Sequence, residues 1–115
     1  IINYYGSIGL RDLVLNEILK SKNIKSDSES FYLNKKEIKY ISSLGFEIGS
    51  HGVSHNVMSR LSKKEQYYEI YESKNYLEKI INKKVTSFCY PYGRVNSYNK
   101  ATIELLKAAK YKNAI

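Results

Sequence analysis

The apolar positions of this chain change period several times, and each change marks an element. Residues 1–5 read as a short strand or the tail of one, closed by a turn over 6–9 with glycine at both ends. From 10 to 21 the spacing becomes helical, with Leu10, Leu13, Val14 and Ile18 on one face. A polar Ser26-Asp-Ser-Glu-Ser30 connection follows, expected to be the most mobile stretch. Asn34 then stands as an N-cap with Glu37 three residues on, Leu33 placed to staple against Ile38, and Gly45 supplying the stop. Residues 46–48 read as a strand delivering Gly49-Ser50-His51 to its C-terminal end.

Ser62 repeats the capping logic with Glu65 and opens a long helix to about Asn82. Its apolar stripe is Tyr67, Ile70, Tyr71, Leu77 and Ile81, so these tyrosines are expected in the core. Residues 85–90 form a strand that Pro91-Tyr92-Gly93 breaks. Ser97 or Asn96 opens a last helix through Ile103, Leu106 and Ala109, and 111–115 reads as a strand beginning. The order β-α-α-β-α-β-α-β predicts an α/β protein with a largely parallel sheet. Both ends of the chain fall in or beside strands, so the sheet is expected to be cut at each end. Strand edges exposed in this way invite self-association.

Composition narrows the classes. In 115 residues, 43% hydrophobic and 26% charged, there is room for one globular domain with a modest core. No apolar run approaches the ~20 residues of a transmembrane helix. The start at Ile1 shows no basic region or cleavage site, and it is not a Met, so the compartment stays open. A longer protein with a signal would be extracytoplasmic or associated with the cell envelope; otherwise it would be cytoplasmic. The net charge of +8 favours acidic partners. However, the lysines are dispersed as pairs (Lys35-Lys36, Lys63-Lys64, Lys83-Lys84), which fits a solvated surface, and no nucleic-acid reading motif is present. Cys89, the single cysteine, excludes an intrachain disulfide and a cysteine-based zinc site. Between Phe88 and Tyr90 it is expected to be a buried structural thiol.

The chemistry concentrates in two segments. Phe46-Glu-Ile-Gly-Ser-His51-Gly-Val-Ser-His55 holds both histidines of the chain, four positions apart. Two imidazoles at that spacing can converge on one metal ion if a helical turn separates them. Gly52-Val53-Ser54 is a poor helix interior, so metal or the Ser50 and Ser54 hydroxyls would have to shape that turn. Two such imidazoles together with one carboxylate and water would suit Zn²⁺, or Co²⁺ or Ni²⁺. Ser87-Phe-Cys-Tyr-Pro91-Tyr92-Gly93-Arg94 ends the next strand. Parallel α/β proteins gather their chemistry beyond the C-terminal strand ends, so both segments are expected to face one pocket.

These segments in series, with Leu61-Ser62 and its charged helix between them and Ala108-Ala-Lys-Tyr111 after, resemble the polysaccharide deacetylases, carbohydrate esterase family 4 (the NodB-homology group). The resemblance runs from about Leu33 to Ile115. It implies a single partial domain over 1–115, part of a deformed (β/α) barrel truncated at both ends. It also implies a metal-dependent hydrolase that removes N-acetyl groups from amino-sugar polymers such as peptidoglycan, chitin-like chains or poly-N-acetylglucosamine. Carried over, His51 and His55 would be metal ligands. Pro91 and Tyr92 would contact substrate, with the Tyr92 backbone N–H serving the oxyanion.

The chain also departs from the family. The Thr-Phe-Asp-Asp segment that supplies the base and third metal ligand has no counterpart, since Asp12 and Asp27 lie in a helix and a polar loop. The late Leu-x-His segment that supplies the acid is missing too, and Cys89-Tyr90 stands where an arginine often precedes the Pro-Tyr pair. An incomplete or inactive piece is therefore expected. The alternative is a non-catalytic carbohydrate-binding or structural remnant of the same fold.

Overall fold

Residues 8–21 and 32–115 are described by the computed structural model. The expected strand over 1–5, the first half of the 6–9 turn and the 26–30 connection lie outside those residues, whereas Ile8 and Gly9, expected in the turn, already belong to a helix. The chain divides into two units, Ile1–Leu33 and Asn34–Ile115. In the first, helix α1 (Ile8–Ser21) forms as its periodicity predicts, and Leu10, Leu13 and Ile18 on its apolar face are exposed.

The second unit is organised by helix caps. Helix α2 (Lys35–Ser43) starts at Asn34, whose Oδ1 accepts the N–H groups of Lys36 and Glu37 at 2.9 and 3.1 Å. Glu37 Oε2 accepts the Asn34 N–H at 2.7 Å, completing the capping box, while Leu33 stays exposed and buries no staple. Helix α3 (Lys63–Ile81) has the same box from Ser62 and Glu65 and closes on Asn82 at φ 53°. Each such cap contributes about 1 kcal/mol by satisfying N–H groups the helix leaves open. Helix α4 (Lys100–Ala108) is capped by Asn99, not by Ser97 or Asn96. Ser97 is fully buried instead, its hydroxyl donating to the Arg94 carbonyl at 2.7 Å to close a turn.

The sheet is parallel. Strand β1 (Ser87–Phe88) pairs with β2 (Asn113–Ala114), Ser87 opposite Asn113 and Phe88 opposite Ala114. On the other side of β1, Ser50 forms a single parallel bridge to Phe88, with Ser50 N–H on the Ser87 carbonyl at 2.9 Å and Cys89 N–H on the Ser50 carbonyl at 2.8 Å. The expected strand over 46–48 thus reduces to this one bridge, because among the described residues no backbone partner meets 46–48. The expected 85–90 strand shortens to two residues, although ladder-like bonds continue from the Thr86 carbonyl to the Tyr90 N–H.

The core lies between α3, β1 and α4: Met58, Leu61, Ile70, Phe88, Leu105 and Leu106. Tyr71, Tyr98 and Tyr111 pack around it. The inward face of α3 differs from the expected stripe. Gln66, Glu69, Ile70, Ser73 and Ile81 are buried, whereas Tyr67 is half exposed and stacks on Tyr71 at 4.1 Å. The true face is rotated by about one residue, because polar side chains on it find hydrogen-bond partners and so bury at low cost. Ile103 likewise faces outward while Leu105 and Leu106 are buried. Cys89 is exposed, contrary to expectation. Strand alternation explains it: Phe88 and Tyr90 turn inward, so the residue between them turns out.

Candidate functional site

Ser50 and Phe88 stand side by side in parallel segments, so the chain leaves both at the same sheet edge. His51 and His55 follow the first segment; Pro91 and Tyr92 follow the second. The structure brings these residues together. The imidazoles meet edge to face with centroids 4.8 Å apart, and the His55 ring stands 4.9 Å from the Tyr92 ring in the same manner. Pro91 is fully buried.

The link between the histidines is a loop, not the helical turn their spacing suggested. Gly52 at φ 84° reverses the chain there, in a region that side chains other than hydrogen rarely enter. Helix α3 then fixes the loop from below. Glu69, 5% exposed, accepts the Val53 and Ser54 N–H groups on Oε2 at 2.6 and 2.9 Å, and its Oε1 accepts the Ser54 hydroxyl. Ser54 Oγ in turn accepts from the Asn56 amide at 2.7 Å. One turn further along, Ser73 Oγ lies 2.6 Å from both the Ser50 hydroxyl and the Glu69 carbonyl, anchoring the residue before His51. The Ser50 and Ser54 hydroxyls take part in holding this loop, although the helical turn expected of them does not form. Glu69 was not foreseen. Its only signature is its place with Gln66, Ile70 and Ser73 on the inward helix face, and a single sequence does not reveal that a charge belongs there.

His51 is oriented by the second segment. Its Nδ1 lies 2.8 Å from the Cys89 carbonyl. A carbonyl only accepts, so Nδ1 carries a proton, and in the neutral form of the ring the lone pair lies on Nε2. That arrangement is the one metal-binding imidazoles use, with the second nitrogen donating to a carbonyl behind it. With the His55 ring edge to face beside it, the pair of imidazoles fits the donor chemistry of Zn²⁺. Among the described residues, no third His, Cys, Asp or Glu joins them. A groove of about 510 Å³ opens beside His51, lined by Val53, Tyr68, Glu72, Tyr76 and Leu77. Positive φ recurs at His55 (54°) and Tyr92 (71°), both in the row of rings.

Similarity to known proteins runs along the same segments. A polysaccharide deacetylase family profile matches residues 17–114. Peptidoglycan-N-acetylmuramic acid deacetylase PdaC of Bacillus subtilis (strain 168) is 31% identical over 97 residues, covering 78% of this chain. Among solved structures, the Streptococcus pyogenes deacetylase PplD in complex with acetate superimposes with a TM-score of 0.64 at 31% identity, over 70% of this chain and 34% of PplD. BA3943 of Bacillus anthracis, a CE4 family pseudoenzyme, superimposes at 0.66 with 23% identity over 86% of this chain and 36% of that one, a likeness of fold. The chain spans only 21% and 32% of the lengths of the curated relatives it matches. With the family profile matching residues 17–114 and the two motifs meeting at one sheet edge, the chain belongs to the polysaccharide deacetylase family.

Proposed function

We propose that the chain is part of a metal-dependent hydrolase removing N-acetyl groups from an amino-sugar polysaccharide, and that residues 1–115 form one partial domain of a deformed (β/α) barrel. The observation that carries this reading is the row His51, His55, Tyr92, with ring centroids 4.8 and 4.9 Å apart beyond adjacent parallel segments. His51, through Nε2, and His55 would hold a divalent ion, Zn²⁺ before Co²⁺ or Ni²⁺, with a third protein ligand contributed from outside the described residues. When bound, the ion supplies Lewis acidity toward the acetamide.

The chain's own residues do the rest. The Cys89 carbonyl keeps the proton on His51 Nδ1, which fixes the tautomer and the ring plane. Pro91, buried and with its φ restricted, sets the approach to Tyr92. The Tyr92 backbone N–H is the oxyanion donor in this reading, a role worth ~3 kcal/mol in a transition state. The substrate reading is supported by PdaC, whose name gives peptidoglycan N-acetylmuramic acid as what it deacetylates.

A second reading is favoured by the two-ligand site: a remnant that keeps the fold and binds carbohydrate without turnover. The fold shared with BA3943 serves there in a pseudoenzyme. The deciding test is acetate release from an N-acetylglucosamine polymer by the encoded protein with its flanking residues. Release that His51→Ala abolishes establishes the hydrolase. Glycan binding without acetate establishes the remnant.

A further inference from the structure

The two histidines lie on an exposed loop, and such loops ordinarily sample many shapes. This one is tied down from inside the molecule by a single carboxylate. Glu69 is nearly fully buried on α3, fifteen and sixteen positions along the chain from Ser54 and Val53, and it accepts three hydrogen bonds from those two residues. Both lie between the two imidazoles. A Cβ at Gly52 would come within 3.0 Å of Glu69 Oε2, so the loop closes onto the carboxylate without space to spare. No lysine or arginine pairs with Glu69 in the ion pairs found among the described residues. The partners of its carboxylate are loop groups.

We propose that Glu69 is the positioning residue of the His51–His55 pair: by holding the Val53 and Ser54 N–H groups it sets the loop shape that turns both rings toward each other. This rests on the reading of the two histidines as ligands, but the geometry itself needs no ion. The work is done by hydrogen-bond reach and not by charge. Both backbone N–H groups converge on the one atom Oε2. An amide with its carbonyl oxygen at that position keeps both, and its NH₂ can donate to Ser54 Oγ where Oε1 now accepts. A carboxylate one methylene shorter keeps the charge and loses the reach.

The test is therefore a crossed pair, Glu69→Gln and Glu69→Asp, in the full chain, each titrated with Zn²⁺ alone by calorimetry and checked for its helical circular dichroism. Glu69→Gln should stay within about threefold of the parent, while Glu69→Asp should lose about 10–100-fold, the cost usual for groups that orient a metal ligand. The reverse order, equal losses in both, or no loss in either overturns the proposal. Ser54→Ala removes one hydroxyl bond and leaves the backbone pair, so it should lose less than Glu69→Asp; a larger loss contradicts the assignment. If the parent binds no Zn²⁺, the ligand reading fails while this one is still decided. The proton contacts between the His51 and His55 rings, read by nuclear Overhauser effects, should then persist in Glu69→Gln and vanish in Glu69→Asp, and any other pattern rejects it.

Discussion

The ring of His55 stands edge-on to the ring of Tyr92, centroids 4.9 Å apart, and both residues hold left-handed backbone at φ 54° and 71°. For a residue with a Cβ that conformation costs roughly 1–2 kcal/mol. Tolerated twice at one spot, it marks backbone held by its surroundings, as functional loops often are.

Tyr92 allows the cost to be measured. Tyr92→Ala loses the ring contact and keeps the positive φ; Tyr92→Gly loses the ring and relieves the backbone. Glycine carries a larger chain-entropy penalty, so the net advantage of Tyr92→Gly over Tyr92→Ala should be about 0.5–1 kcal/mol in denaturant unfolding. An alanine variant more stable than the glycine variant would show that φ at 92 is not held positive.

Gly52 and Gly45 form a matched comparison. Both have positive φ, 84° and 94°, but a Cβ at 52 meets Glu69 Oε2 at 3.0 Å, whereas nothing lies within 4 Å at 45. Alanine at either site should cost about 1 kcal/mol for the backbone. Gly52→Ala should cost about 1 kcal/mol more, because it forces the buried carboxylate away from its two N–H partners. Equal losses in thermal unfolding would mean that the Glu69 contact is slack.

Acid should loosen the junction between α3 and β1. Burial pushes the Glu78 carboxyl up, but the Val85 N–H at 3.0 Å and the ammonium groups of Lys74 and Lys84 outweigh it, so the group titrates below its ordinary range. A carboxyl lowered in the folded state contributes stability above its unfolded value of ~4.3 and loses it as pH falls through the lower folded value. Melting curves of the parent and Glu78→Gln should therefore differ at neutral pH, with the parent more stable, and converge as pH falls through the lowered folded value. Curves that stay parallel through that window would detach Glu78 from the acid response.

How far the sequence discloses this molecule depends on the range of each interaction. The caps at Asn34 and Ser62 are local, an Asn or Ser with Glu three residues on, and both were legible. The cap at Asn99 uses Thr102 in place of an acidic partner and stands two residues from a serine that tertiary packing buries, so the local signal pointed to the wrong residue. Strands over 46–48 and 85–90 were read from apolar runs, yet pairing needs a neighbour, and among the described residues the pairing in and beside these two segments is confined to Ser50, Ser87 and Phe88. On α3, tyrosine spacing suggested an apolar stripe. The buried face carries Gln66, Glu69 and Ser73 because each meets a partner far along the chain, Thr102, Val53 and Ser50 respectively, a fact that periodicity cannot express. The site itself was legible as two motifs at one edge, and their meeting is observed. What holds them there was not.

The most direct test of the account is Zn²⁺ titration of the 115-residue chain beside His51→Ala and His55→Ala, with Tyr67→Ala as a surface control. One ion per chain in the parent and the control, lost in either histidine variant, is the predicted result. Binding that survives both histidine replacements, or a parent that takes up no ion, would contradict it.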